Sequence, residues 1–143
     1  LGGVEIWFFP LPGHLAEHLG VLVPDAGVLI TGDTLFNDHH PYMGQGNFEV
    51  WLKSLAKIRD LKAEGIIPGH GPVCGYEALE KQQRYMERMM EIRAKWDPAE
   101  GENAIPPGAV DELLAFYPLH GRPRAMMRGR VVESIRVAGD PQF

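Results

Sequence analysis

A single cysteine, Cys74, stands among 143 residues, so no internal disulfide can form and the fold must hold by packing or by metal. No apolar run approaches the roughly 20 residues that span a bilayer, which argues against a transmembrane helix. Long cationic runs are also missing. Fourteen Lys and Arg stand against nineteen Asp and Glu, a net charge of −5, which disfavours a nucleic-acid partner. The opening residues lack the basic-then-apolar pattern of a secretory signal. They begin with Leu1 rather than Met and run at once into strand-like sequence, which points to a processed or truncated chain. The expectation is a soluble protein whose compartment stays open, with the cytoplasm favoured. What is present is ordinary globular usage, 45% hydrophobic, 23% charged and 9% aromatic, at a length that holds one core. A single domain over 1–143 is expected.

Three β-rich runs open the chain, at 4–9, 18–23 and 27–31. Pro24-Asp25-Ala26-Gly27 places turn residues between the second and third, predicting an antiparallel hairpin. Pro10-Leu11-Pro12-Gly13 cannot continue a strand, so His14 belongs on a loop. Apolar residues at 48, 51, 52, 55, 58 and 61 follow helical spacing behind Asn47, a natural N-cap. Gly65-Ile66-Ile67 reads as a short strand, 76–96 as a long helix, and 110–117 and 123–137 as two shorter ones.

Three residues that could bind a metal recur near strand ends, each after a glycine: His14 in Pro-Gly-His, Asp33 in Thr-Gly-Asp-Thr-Leu-Phe, and His70 in Pro-Gly-His-Gly. Neutral imidazole with carboxylate suits a borderline cation such as zinc, and glycine lets the backbone turn sharply beside each ligand. Taken singly, each has a plainer reading: a loop histidine bonded to backbone for His14 and His70, a turn cap for Asp33.

The order Pro-Gly-His14, hairpin, Thr-Gly-Asp33-Thr-Leu-Phe36, helix, strand, Pro-Gly-His70-Gly resembles the metallo-β-lactamase-fold hydrolases over about residues 4–96. The resemblance implies an α/β fold, an αββα sandwich with a mixed, mainly antiparallel sheet and flanking helices. This chain would be its C-terminal half, with 1–96 the core motif region and 97–143 a helical extension. It implies that His14 ligates a first metal, that Asp33 bridges two, and that His70 completes the second. Two zinc ions are expected in the complete protein, with iron or manganese accepting the same ligands. The implied chemistry is attack of metal-activated water on an ester, thioester, lactone or lactam type bond of a small-molecule substrate, with Asp33 orienting the nucleophile.

Family members also carry an upstream His-x-His-x-Asp-His motif, which this sequence lacks. The expected partner is therefore the N-terminal half, in cis or from another chain, or a second copy in a homodimer that pairs exposed sheet faces. The rival readings are a fragment acting as a non-catalytic scaffold or interaction module with half the ligands, and an iron-dependent oxidoreductase on the same fold. His39 and His40, in Asp-His-His-Pro, are candidate substrate contacts at the mouth of the site. His18 is expected to pack or to support a ligand, and Cys74 to be a small packed hydrophobe. Tyr85, Met86, Met89, Met90 and Ile92 read as helical core, and Arg122, Arg124, Arg128 and Arg130 as a solvated basic face.

Overall fold

The structure, a computed structural model, describes residues 2–140 and 143. Four strands form one sheet in the order β1 (Trp7–Pro10), β2 (Leu19–Val23), β3 (Val28–Phe36), β4 (Gly65–His70). The first two pairings are antiparallel and β3 pairs with β4 in parallel, as a mixed, mainly antiparallel sheet requires. The expected hairpin is present. A 3₁₀ turn at Pro24–Ala26 closes it, ending at Gly27. The first strand is shorter than the run at 4–9: pairing stops at Trp7 opposite Leu22, and Pro24, which has no N–H, ends β2 just beyond.

Helix α1 (Phe48–Asp60) follows the predicted spacing, with Asn47 Oδ1 accepting from the Val50 amide at 3.2 Å. It is followed by β4, by α2 (Tyr76–Arg93), and by α3 (Ala109–Leu114) and α4 (Arg124–Val137). Helices α1 and α2 cover one face of the sheet, over Leu22, Leu29 and Ile66, while α3 and α4 pack on α2. The buried stripe of α2 holds Tyr85, Met86, Met89 and Ile92, as their spacing predicts.

The opposite face of the sheet carries another apolar row. Cross-strand register aligns Phe8, Val21, Ile30 and Ile67, of which Phe8 is 69% exposed and Ile67 39%. Among the described residues no helix is long and apolar enough to cross a membrane.

Candidate metal centre

Strand direction explains why three residues far apart in sequence meet. β1, β3 and β4 run the same way, so their C-terminal ends share one edge of the sheet. His14 lies on the loop after β1, Asp33 three residues before the end of β3, and His70 at the last position of β4. The Asp33 position differs from a strand-end expectation. Residues after Ile30 leave regular register with β4, and β3 continues to Phe36 because other groups take up its backbone. Gln82, wholly buried on α2, accepts from the Phe36 amide at 2.8 Å and donates to the Thr34 carbonyl at 2.9 Å. Trp51 Nε1 donates to that same carbonyl at 2.7 Å. Gln82 escaped the sequence reading, although a glutamine three residues after Leu79 and seven before Met89, inside an apolar stripe, was its signal.

The Asp33 carboxylate faces both imidazoles. Its Oδ1 lies 3.5 Å from His70 Nε2 and its Oδ2 lies 3.8 Å from His14 Nε2. The two histidines differ in exposure, His14 being 15% accessible and His70 52%. Burial holds the pKa of His14 below the ordinary histidine value, against the pull of Asp33, so its imidazole is neutral at neutral pH. Its Nδ1 is buried without a hydrogen-bond partner among the described residues. Trp51 and Phe36 pack edge-on against its ring at 5.3 and 6.1 Å.

Glycine serves two separate purposes here. Gly32 sits at φ 51°, in the left-handed region, with His18 Nε2 2.5 Å from where a Cβ would stand. Gly69 has ordinary φ, yet a Cβ on it would collide with Asp33 Oδ1 and the Gly32 backbone. His18 thus packs on the strand beside Asp33.

A mixed set of neutral imidazole and carboxylate suits zinc in kind. In number it falls short. Among the described residues no three His, Cys, Asp or Glu side chains converge as a metal-holding group. His14 and His70 approach different oxygens of Asp33, so a cation on either side would find two donors from this chain.

His39 and His40 behave differently from one another. His39 Nδ1 donates to the Asn37 carbonyl at 3.1 Å, and its ring stacks on His120 at 4.2 Å and faces His70 at 6.1 Å. His40 is buried. Its Nε2 donates to the Tyr117 carbonyl at 3.1 Å and its Nδ1 accepts from the Tyr85 hydroxyl at 3.2 Å, so both ring nitrogens are committed within the protein. Cys74 is packed as expected, burial raising its thiol pKa to about 11.

His14, Asp33, Phe36, His39, His40 and His70 line a cavity of about 230 Å³ that also includes Tyr42, Arg122 and Arg130. The basic cluster is therefore not wholly a solvated face. Arg124 pairs outside with Asp111 at 2.8 Å, whereas the turn before α4 and its second turn bring Arg122 and Arg130 to the cavity.

Residues 1–70 match the Metallo-beta-lactamase superfamily. Over 95 residues the chain is 36% identical to a beta-lactamase-like protein 2 homolog of Caenorhabditis elegans, a match covering 62% of this chain and 29% of that protein. It is 36% identical over 64 residues to a hydroxyacylglutathione hydrolase of Idiomarina loihiensis, covering 45% of this chain and 24% of the other. Each match spans less than a third of the curated relative. A metallo-beta-lactamase family protein of Thermus thermophilus shares the fold, with a TM-score of 0.61 at 23% identity over 94% of this chain and 44% of the other. With its shared strand edge bearing His14, Asp33 and His70, the chain is similar to the metallo-beta-lactamase superfamily over residues 1–70 and shares the fold of its Thermus thermophilus member.

Proposed function

We propose that this chain forms part of a metal-dependent hydrolase that cleaves an ester, thioester, lactone or lactam type bond in a small molecule. The observation that carries the reading is the Asp33 carboxylate set between His14 and His70, one oxygen toward each. Relatives named as hydrolases support the reaction class. His14, Asp33 and His70 would hold zinc, with Asp33 shared between two ions. Bound zinc supplies Lewis acidity toward a carbonyl oxygen and acidifies water.

The chain's own residues do the rest. Neutral His14 presents an Nε2 lone pair rather than a competing positive charge. Asp33, as an anion, accepts a hydrogen bond from the attacking water and orients it. Trp51 and Phe36 wall the His14 side with apolar surface, which limits loose water and strengthens electrostatic interactions.

The shortage of donors supports a further part of the proposal. A second β-rich half, in cis or in another chain, contributes the remaining ligands and packs on the row Phe8, Val21, Ile30, Ile67. Zinc content by elemental analysis, run beside intact mass on the purified full-length protein, tests both. About two zinc atoms per complete site supports the reading. No stoichiometric metal, with the ligands intact, overturns it and favours the scaffold reading, to which the two-donor count already lends weight.

A further inference from the structure

The segment between β1 and His14 cannot brace itself. Pro10 and Pro12 have no N–H, so Pro10-Leu11-Pro12-Gly13 offers four carbonyls and two amides. Every one of them is engaged. The Leu11 amide donates to the His18 carbonyl at 2.8 Å and the Gly13 amide to the Leu15 carbonyl at 3.1 Å. The four carbonyls accept, in chain order, from Lys57 Nζ at 3.0 Å, Thr34 Oγ1 at 3.0 Å, Ser54 Oγ at 2.5 Å and the Asn47 amide at 2.8 Å. Asn47 caps α1, and Ser54 and Lys57 follow along one side of that helix. Gly13 sits at φ 144°, and a Cβ on it would stand inside Trp51, so the segment lies directly on α1.

The His14 ring has little polar support of its own. Its Nδ1 is without a partner among the described residues, and its Nε2 stands 3.8 Å from Asp33 Oδ2, beyond hydrogen-bond distance. Its direction is set by packing on Trp51 and Phe36 and by the segment behind it. Thr34 and Ser54 are both buried, where water does not readily replace a lost hydroxyl, whereas Lys57 is exposed. Thr34 joins the two ligands most directly: it follows Asp33 on β3, and its hydroxyl reaches Leu11, three residues before His14. We propose that the Thr34 and Ser54 hydroxyls are positioning groups that fix His14 against Asp33, so that imidazole and carboxylate stand ready before a metal arrives. Donors held in place by the protein lose little conformational freedom on binding, which tightens the complex. The metal readout rests on the proposed hydrolase site, but the fixing of the segment stands on the hydrogen bonds.

The test measures zinc affinity of the full-length protein by competition with a chromophoric chelator, and amide hydrogen exchange of the same protein without metal. Thr34→Val and Ser54→Ala are each expected to weaken zinc binding about tenfold. Exchange at the Leu11 and Gly13 amides should quicken about tenfold in both, with α2 unchanged. Thr34→Ser keeps the hydroxyl and should restore both readouts. Ser134→Ala removes a buried hydroxyl of the same kind, which donates to the Arg130 carbonyl at 2.9 Å within α4, and should alter neither even where it lowers Tm.

Weakened zinc binding that Thr34→Ser restores and Ser134→Ala does not reproduce is the supporting result. Native zinc affinity in both Thr34→Val and Ser54→Ala overturns the positioning role and leaves the metal site standing. An equal loss in Ser134→Ala marks a general effect of stability and overturns it too. Should the native protein bind no zinc, the hydrolase reading falls and hydrogen exchange alone decides whether the two hydroxyls fix the segment. Thermal unfolding shows which variants are folded, and the two hydroxyls are removed separately so that either variant can decide.

Discussion

Gly69 on β4 lies so close against Asp33 on β3 that no side chain can stand between them. A methyl group there would meet the carboxylate oxygen that faces His70. Gly69→Ala should therefore push Asp33 aside, lowering zinc retention at least tenfold and costing about 1–3 kcal/mol through overpacking. Gly65→Ala, on the same strand, has open space and should cost less than about 1 kcal/mol with metal retained. Zinc stoichiometry and urea unfolding on the two variants check the contrast.

Asp33 and His40 should separate activity from stability. Asp33→Ala should abolish metal-dependent hydrolysis while leaving the fold intact, because the side chain is 37% exposed and its carboxylate faces the His14 and His70 imidazoles rather than the core. His40→Ala opens a cavity and strands the buried Tyr117 carbonyl, for a loss of about 2–4 kcal/mol with measurable residual activity. Equal residual activity in the two variants would refute the ranking of these sites.

His40 also sets a pH dependence. Burial holds its pKa below the ordinary histidine value of about 6.5, so the unfolded state takes up a proton before the folded state does. Its contribution to stability is whole above that ordinary value. It declines as pH falls from there toward the lowered folded pKa. His14 acts in the same direction, so the test is a difference: the fall in urea midpoint from pH 7 to pH 5 should be shallower in His40→Gln than in the native protein.

The irregular end of β3 depends on one amide side chain. Gln82→Met removes the acceptor for the Phe36 amide, while the Thr34 carbonyl keeps Trp51 Nε1. One buried donor left unpaired costs about 1–3 kcal/mol, readable in chemical denaturation. A loss below about 0.5 kcal/mol would show that the backbone there finds another partner.

How far the sequence was legible follows from which interactions are local. The hairpin and α1 depend on neighbours in sequence, on Pro24 to Gly27 and on Asn47 with its apolar spacing, and both formed as read. The length of β3 depends on Gln82 and Trp51, residues distant in sequence, so the strand read as ending at Thr31 although it runs on to Phe36. Local sequence also says nothing of where α4 folds back. The cluster at 122–130 therefore read as solvent-facing, and only tertiary packing brings Arg122 and Arg130 to the cavity.

The outer row of the sheet gives the last prediction. Phe8, Val21, Ile30 and Ile67 stand side by side across four strands, and burying apolar surface yields roughly 25 cal/mol per Å². A face of this composition seeks cover. The 143-residue chain expressed alone should therefore associate, shown by a light-scattering mass above its 15.9 kDa, and should bind an apolar dye. Phe8→Asp with Ile67→Asp places charge at both edges of the row, where 69% and 39% exposure leaves room for it without disturbing the core. That pair should restore a monomer and quench dye binding with little change in Tm. A native chain that is already monomeric and dye-silent would mean that the row needs no second layer, and the proposal of a ligand-bearing half packed on this face would fall with it.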